Sequence, residues 1–266
     1  MTIKEIVNKY TSLGHNSRNA QNLAAEEIVL RKIASSPLSD HVTLKGGIVM
    51  FNLTKCDRRV TQDIDFDLIK YSIDDISIKR FVDKLNAVKD GISVSIDGSI
   101  EPLHQEDYQG VRIHLLLKDN STKLRIKLDI GVHTYLGIEQ ETLLFIFETG
   151  NKSLSLKVNP CEQMFAEKIL SLARLGAIST RYKDVYDLYF LINSESLKRE
   201  KVRDILNLFF LSSNREPYNM VDLYNSISDT FENKSFVNGA INPASKWLDI
   251  EFESIKKTIL NYLSSL

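Results

Sequence analysis

The chain has 266 residues, 43% of them hydrophobic and 26% charged, enough to bury a core and long enough for two ordinary domains. Lys and Arg number 34 against 35 Asp and Glu, a net charge of -1. That balance excludes attachment to nucleic acid by bulk charge and leaves only a local basic patch open. Cys56 and Cys161 stand far apart, without the close spacing of a zinc finger or a disulfide framework. Apolar runs such as residues 143–147 fall far short of the ~20 residues a membrane span needs. Residues 1–21 carry Lys4, Glu5, Lys9 and Arg18 and no apolar signal core. The expectation is a soluble, cytoplasmic protein with no membrane partner.

Residues 3–33 repeat apolar side chains at helical spacing, broken around Leu13-Gly14-His15-Asn16. Short strands are expected at 41–44 and 61–69, separated by a compact apolar helix at 48–53. A helix follows over 73–88 and ends at Asp90-Gly91. From 93 to 156 the pattern is mainly strand. Val111, Ile113 and Leu115 alternate with Arg112 and His114, and Leu124, Ile126, Leu128 and Ile130 alternate with Lys123, Arg125, Lys127 and Asp129. Gly98, Asp119-Asn120, Gly137 and Gly150 supply the turns, and the close spacing of the strands predicts an antiparallel or mixed sheet.

Beyond Val158 the text turns helical. Asn159-Pro160 followed by Glu162 predicts an N-cap, a proline at the first helical position and an early acidic residue. Further helices are expected at 181–192, 199–211, 217–227 and 243–263. The fold class is therefore α+β over residues 1–157, then an all-α helical domain over 158–266.

The strongest chemical signal is Arg59-Val60-Thr61-Gln62-Asp63-Ile64-Asp65-Phe66. On a strand Asp63 and Asp65 share a face while Ile64 and Phe66 enter the core. Two carboxylates roughly 7 Å apart repel one another unless a cation lies between them. A hard ion such as Mg²⁺ (or Mn²⁺) suits them, since it takes oxygen ligands and leaves positions for phosphates. Alone, such a pair is more often a solvated strand face. Two neighbours change the weighting. Leu44-Lys45-Gly46-Gly47 sits between a strand and a helix, where backbone N–H groups can hold a phosphate. Asp129 ends the alternating run of Lys123, Arg125 and Lys127, so a strand placed beside the first would add a third carboxylate and a basic flank.

Taken together, these pieces resemble the polymerase-β-like nucleotidyltransferases, and more closely the AbiEii/AbiGii toxin family of bacterial nucleotidyltransferases. The matching segments are Lys45-Gly46-Gly47, Arg59-x-Thr61-x-Asp63-x-Asp65, Leu128-Asp129, Pro160 with Ala166-Glu167-Lys168, and Arg181-x-Lys183-Asp184-x-x-Asp187-Leu188. They follow the family's order over residues 44–189. Two departures stand out. Fifteen residues separate Gly47 from Asp63, longer than is usual in the wider superfamily, and glycine occupies the turn position where many members carry serine. The resemblance implies a polymerase-β-like domain followed by a helical bundle.

Spacing alone would leave Lys168 in a surface Glu-Lys pair, and Arg181, Asp184 and Asp187 on a solvated helix face. The resemblance implies that Lys168 and one of Asp184 or Asp187 belong to the active site. It also implies that Arg59, Lys168 and Arg181 serve nucleotide binding and that Gly46 and Gly47 shape the phosphate pocket. Asp63, Asp65 and Asp129 would bind the metal, with Asp129 also a candidate base. His15, His41, His104, His114 and His133 show no metal-ligand spacing, and Tyr182, Tyr186 and Tyr189 read as core packing or as a stacking platform for RNA.

The expected activity is transfer of a nucleoside monophosphate from an NTP co-substrate to an acceptor hydroxyl. The resemblance adds a toxin of a toxin–antitoxin or abortive-infection system with a cognate antitoxin. The acceptor is left open between a tRNA or other RNA 3′ end and a protein hydroxyl. RNA would need Arg58, Lys123, Arg125 and Lys127 as its local surface. Two other readings use the same residues: a two-metal nuclease, and a non-catalytic module that keeps the fold.

Overall fold

A computed structural model describes residues 1–61, 63–103, 110–135, 137–147, 149, 153–194 and 197–266. Gln62, His104 and Gly150 lie outside the described residues. The chain divides into two compact units, Met1–Asn159 and Pro160–Leu266.

The first unit opens with α1 (Ile3–Ser12) and α2 (Ser17–Ala34), separated at the expected break. Thr2 and Glu5 form a capping box on α1, and Asn16 caps α2 by accepting the Asn19 N–H. Among the described residues, eight strands build one mixed sheet. They are β1 (Val42–Lys45), β2 (Asp63–Leu68), β3 (Ser93–Ile96), β4 (Glu101–Pro102), β5 (Gly110–Lys118), β6 (Lys123–Val132), β7 (Glu141–Phe145) and β8 (Leu154–Val158). Their spatial order is β3-β5-β6-β2-β1-β8-β7, with β4 paired to β5. β2 runs parallel to β6 and β1 parallel to β8, and the other pairs are antiparallel. Short α3 (Gly46–Thr54) leaves β1 directly, and α4 (Asp75–Ala87) follows β2.

Period-two alternation sorts the central strands into two faces. Leu44, Ile64, Phe66, Ile113, Leu115, Leu128 and Ile130 are buried on the inner face. α2 packs against β6 and β8, and Phe81 of α4 stacks on Phe66 with ring centroids 5.4 Å apart. The outer face carries the odd-numbered side chains of β2 and β6, where the acidic and basic residues lie.

The second unit is entirely helical among the described residues. It comprises α5 (Cys161–Leu175), α6 (Tyr182–Asn193), α7 (Arg199–Ser212), α8 (Met220–Glu232), α9 (Lys234–Ala240) and α10 (Phe252–Ser264). Phe165 and Tyr262 meet edge to face at 5.1 Å, and Phe231 packs edge to face on Phe252. The Tyr186 hydroxyl donates to the Ala240 carbonyl at 2.9 Å. Tyr186 is therefore a core residue fixing α9, not a stacking platform.

Two expectations are corrected. Pro160, not Asn159, occupies the N-cap of α5. Asn159 is fully buried; its N–H donates to the Leu44 carbonyl and its side-chain oxygen accepts the Thr43 hydroxyl, so it closes β8 onto β1. Glu162 is the early acidic residue expected in the first turn of α5. It is buried, accepts the Lys198 N–H at 3.2 Å and pairs with Lys201 at 3.2 Å, joining α5 to α7. The single helix expected over 243–263 is only α10, because Asn242 accepts the N–H groups of Ala244, Ser245 and Lys246 and turns the chain. α9, which the sequence reading did not anticipate, precedes that turn. No helix among the described residues is long and apolar enough to cross a membrane.

Candidate active site

Strand register assembles the motif. Asp65 of β2 lies opposite Asp129 of β6, Lys45 of β1 opposite Asp65, and Arg112 of β5 opposite Asp129. Directly paired residues share a face, so Arg112, Asp129, Asp65 and Lys45 form one row across four strands. The adjacent row pairs Asp63 with Lys127. The expected neighbourhood of Asp63, Asp65 and Asp129 is thus formed by pairing strands far apart in sequence.

Cations offset this concentration of acid. Arg112 clasps Asp129 with two hydrogen bonds of 2.8 Å, Nε to Oδ1 and Nη2 to Oδ2. Lys127 Nζ lies 2.6 Å from Asp63 Oδ2, and Lys45 Nζ lies 2.6 Å from Asp67 Oδ1. Charge-assisted, bidentate pairs of the Arg112 kind are the strongest and most directional hydrogen bonds available to a carboxylate. The bond to Asp129 holds the Arg112 guanidinium still more firmly protonated. One strand position further out, Arg125 pairs with Asp97 at 2.6 Å.

The glycine turn closes on the same row. Gly46 has φ 66°, and a Cβ there would lie 2.5 Å from Asp65 Oδ2. A Cβ on Gly47 would lie 2.8 Å from the Thr61 Cβ and Oγ1 and 3.2 Å from Arg59 Nη1. Side chains at either position would displace residues of the Arg59–Asp65 segment, so the glycines are required by the approach of that segment. Where a serine is common, Gly47 instead lets the Thr61 hydroxyl approach the turn, and the start of α3 offers backbone N–H groups. Arg59 is buried at 5% exposure.

A hard divalent cation fits this donor chemistry in a limited sense. Among the described residues no three His, Cys, Asp or Glu side chains converge into a ready-made cage. Asp63 and Asp65 provide carboxylate oxygens on one face, the kind of partial set that Mg²⁺ completes with waters and phosphate oxygens. Asp129 has four lone-pair directions, of which Arg112 uses two.

Two participants escaped the sequence reading. Arg112 alternates with apolar neighbours, which places it on the polar face, but only the β5–β6 register brings it to Asp129. Glu26 of α2 was hidden in a helical pattern. It is fully buried, its Oε1 has no partner among the described residues, and burial first, then the charge of Asp63, push its carboxyl well above the usual range.

In the second unit, Lys168 of α5 is held by Asp184 at 2.5 Å and Asp187 at 2.9 Å, both on α6. Asp187 is completely buried, and Arg181 Nη1 lies 4.0 Å from Asp184. Arg181 and Asp184 also line an open pocket of about 340 Å³ with Thr180, Tyr182, Lys183 and Ser245. The i, i+3 spacing of Asp184 and Asp187 therefore serves a common ammonium partner. His41 and His133 belong to sheet-end contacts: His41 Nδ1 lies 3.3 Å from the Ile69 carbonyl and His133 Nε2 lies 3.3 Å from Gln140 Nε2.

Two outcomes follow from these buried charges. Glu26 keeps its proton in the fold at pH values where the unfolded chain, near pH 4.3, has lost it. Its stabilising contribution is complete below that value and declines as pH rises through its raised folded value. Glu26→Gln should gain stability relative to the parent as pH increases from 4 to 8; a pH-independent difference in melting temperature would contradict this. Lys168→Ala should cost about 3 kcal/mol in urea unfolding, because it takes the ammonium away from the buried Asp187 carboxylate, whereas Lys168→Arg should retain most of the stability.

Comparison with known proteins gives the family of the chain. The profile described as nucleotidyl transferase AbiEii toxin of type IV toxin–antitoxin systems matches residues 28–261. Among solved structures, JHP933 of Helicobacter pylori is similar with a TM-score of 0.50 at 15% identity, covering 94% of this chain and 92% of that one. A second H. pylori structure gives 0.48 at 15% identity, with coverages of 92% and 94%. An antigenic nucleotidyltransferase-like protein of Paracoccidioides brasiliensis gives 0.42 at 13% identity, with coverages of 80% and 92%. No curated protein matches the chain. The likeness to JHP933 is one of fold, whereas the profile spans both compact units. The chain belongs to the AbiEii family of nucleotidyl transferase toxins of type IV toxin–antitoxin systems.

Proposed function

We propose that the protein transfers a nucleoside monophosphate from an NTP to an acceptor hydroxyl with the help of a divalent cation, Mg²⁺ or Mn²⁺. The observation that carries this reading is the row of Asp65 and Asp129 beside Asp63, closed at one end by the Gly46-Gly47 turn. Asp63 and Asp65 would hold the cation. When bound, it supplies Lewis-acid stabilisation of charge on the transferring phosphoryl group. The N–H groups at the start of α3 receive the phosphates of the NTP, and Gly46 and Gly47 keep that approach open.

In the transfer itself, the acceptor oxygen forms a bond to the α-phosphorus as the bond to the pyrophosphate oxygen breaks. Pyrophosphate leaves with the electron pair. Asp129, oriented by Arg112, takes the hydroxyl proton on a lone pair that Arg112 does not use. Arg59 contributes charge for the triphosphate, and within the helical unit Asp184 and Asp187 keep Lys168 in place.

For the acceptor we favour an RNA end, with tRNA as one candidate and a protein hydroxyl as the competing one. The outer face of β6 continues from Asp129 through Lys127 and Arg125 to exposed Lys123, and Lys118 of β5 lies opposite Lys123. Two lysines directly opposite one another repel unless an anion lies between them, which suits a phosphate backbone better than a protein surface. The type IV system to which the family belongs implies an antitoxin partner, and we place the activity in the cytoplasm with both.

The test is transfer of label from each α-labelled NTP with Mg²⁺, using total bacterial RNA and total protein as acceptors. Asp63→Asn and Asp65→Asn should each reduce transfer at least ~10²-fold with unchanged circular dichroism. Wild-type turnover by either folded variant would refute the metal assignment, and shortened RNA without label would favour a nuclease. Label in protein alone would move the acceptor away from RNA.

A further inference from the structure

The cations around the motif are not equivalent. Lys45 and Asp67 are both largely buried, with side-chain exposures of 10% and 6%, so their pair is enclosed by the sheet. Arg112 holds Asp129 through two parallel hydrogen bonds, and Asp129 is itself only 10% exposed. Both pairs are fixed, one by burial and the other by bidentate geometry. Lys127 and Asp63 differ on both counts. Each is 29% exposed, and the contact is a single ammonium against one carboxylate oxygen at 2.6 Å. A flexible four-carbon stem lets the ammonium withdraw without disturbing the strand. Water remains available to both partners when they separate, so the separation is inexpensive.

Asp63 Oδ2 is therefore occupied by a resident positive charge at a position where a divalent cation would bind. A free cation must displace Lys127 and leave the ammonium without its partner. A cation arriving on a triphosphate brings the replacement with it, because the phosphate oxygens can accept the ammonium that Asp63 releases. Resting on the metal-dependent reading above, we infer that Lys127 is an exchangeable counter-ion of Asp63. It suppresses binding of the bare divalent cation and transfers to the phosphates when metal and nucleotide enter together. The preferred incoming species is the metal–nucleotide complex, and Lys127 couples the two ligands.

Mn²⁺ is the probe, followed by the loss of its free-ion electron paramagnetic resonance signal. Titrations use the parent, Lys127→Met and Lys127→Arg, with and without α,β-methylene analogues of the four NTPs. Without nucleotide, Lys127→Met should bind Mn²⁺ roughly tenfold more tightly than the parent, because one positive charge beside the ligand is gone. Lys127→Arg, which keeps the charge, should stay as weak as the parent. The analogue that binds should tighten Mn²⁺ binding much more in the parent than in Lys127→Met. Mn²⁺ should also raise the melting temperature of Lys127→Met without nucleotide, a readout independent of turnover.

Equal nucleotide-free Mn²⁺ affinity in the parent and Lys127→Met, with both binding Mn²⁺ in the presence of nucleotide, would overturn the counter-ion role and leave the metal-dependent reading standing. Failure of the parent to bind Mn²⁺ with any analogue would overturn both. If Lys127→Met does not fold, Lys127→Gln removes the charge with a polar side chain of similar reach and is held to the same outcomes.

Discussion

The parallel pairing of β2 with β6 is the constraint on which the first compact unit of this protein depends. It sets Asp65 directly opposite Asp129, on strands about 4.8 Å apart. Like charges placed opposite one another destabilise a sheet, so the pairing persists only if the next strands on either side bring compensation. β5 does so with Arg112 and β1 with Lys45, each in register with the neighbouring acid. The strand order β5-β6-β2-β1 is thus more than a way of covering a core. It flanks the two acid-bearing strands with base-bearing ones so that the carboxylates can share a face.

The inner face of the same strands explains why the arrangement is rigid. Ile64, Phe66, Leu128 and Ile130 are fully buried between the acidic positions, and a one-residue slip would carry them to the outer face while burying the aspartates. Apolar packing therefore fixes the register, and the register fixes the charges. Gly46 fits the same scheme. Its positive φ turns the chain from β1 into α3 close against the Asp65 carboxylate, where a side chain would intrude. Glu26 adds a third layer of control, for a buried acid that keeps its proton adds no further negative charge near Asp63.

How much of this was legible in the sequence depended on whether a feature is local. Alternation in β2 and β6 assigned Asp63, Asp65 and Asp129 to polar faces, and the glycine pair marked a turn, because both signals lie within a few residues. Register is not local, so Arg112 looked like any polar residue of an alternating strand until its pairing with Asp129 was visible. Lys127 read as a member of a basic run, whereas its position opposite Asp63 makes it part of the acidic site. The errors beyond residue 158 have the same origin. Asn159 has the composition of a helix cap, but its hydrogen bonds to Thr43 and Leu44 belong to the sheet. Glu162 does stand in the first turn of α5, but its partners, Lys201 and the Lys198 N–H, lie some 36 to 39 positions away and could not be read locally.

The two charge clusters show how one composition supports different duties. Lys168, Asp184 and Asp187 sit at exposures of 11%, 13% and 0%, so separating them would leave charge in a poorly solvated interior. Such a cluster keeps its geometry and orders the helices that carry it. Lys127 and Asp63 are nearly one-third exposed, and water can stabilise either partner when they part. That pair is suited to exchange. The distinction cannot come from residue type, because both clusters are lysine–aspartate pairs at hydrogen-bonding distance. It comes from burial, which the sheet and the helical core impose on side chains that the sequence writes with the same letters.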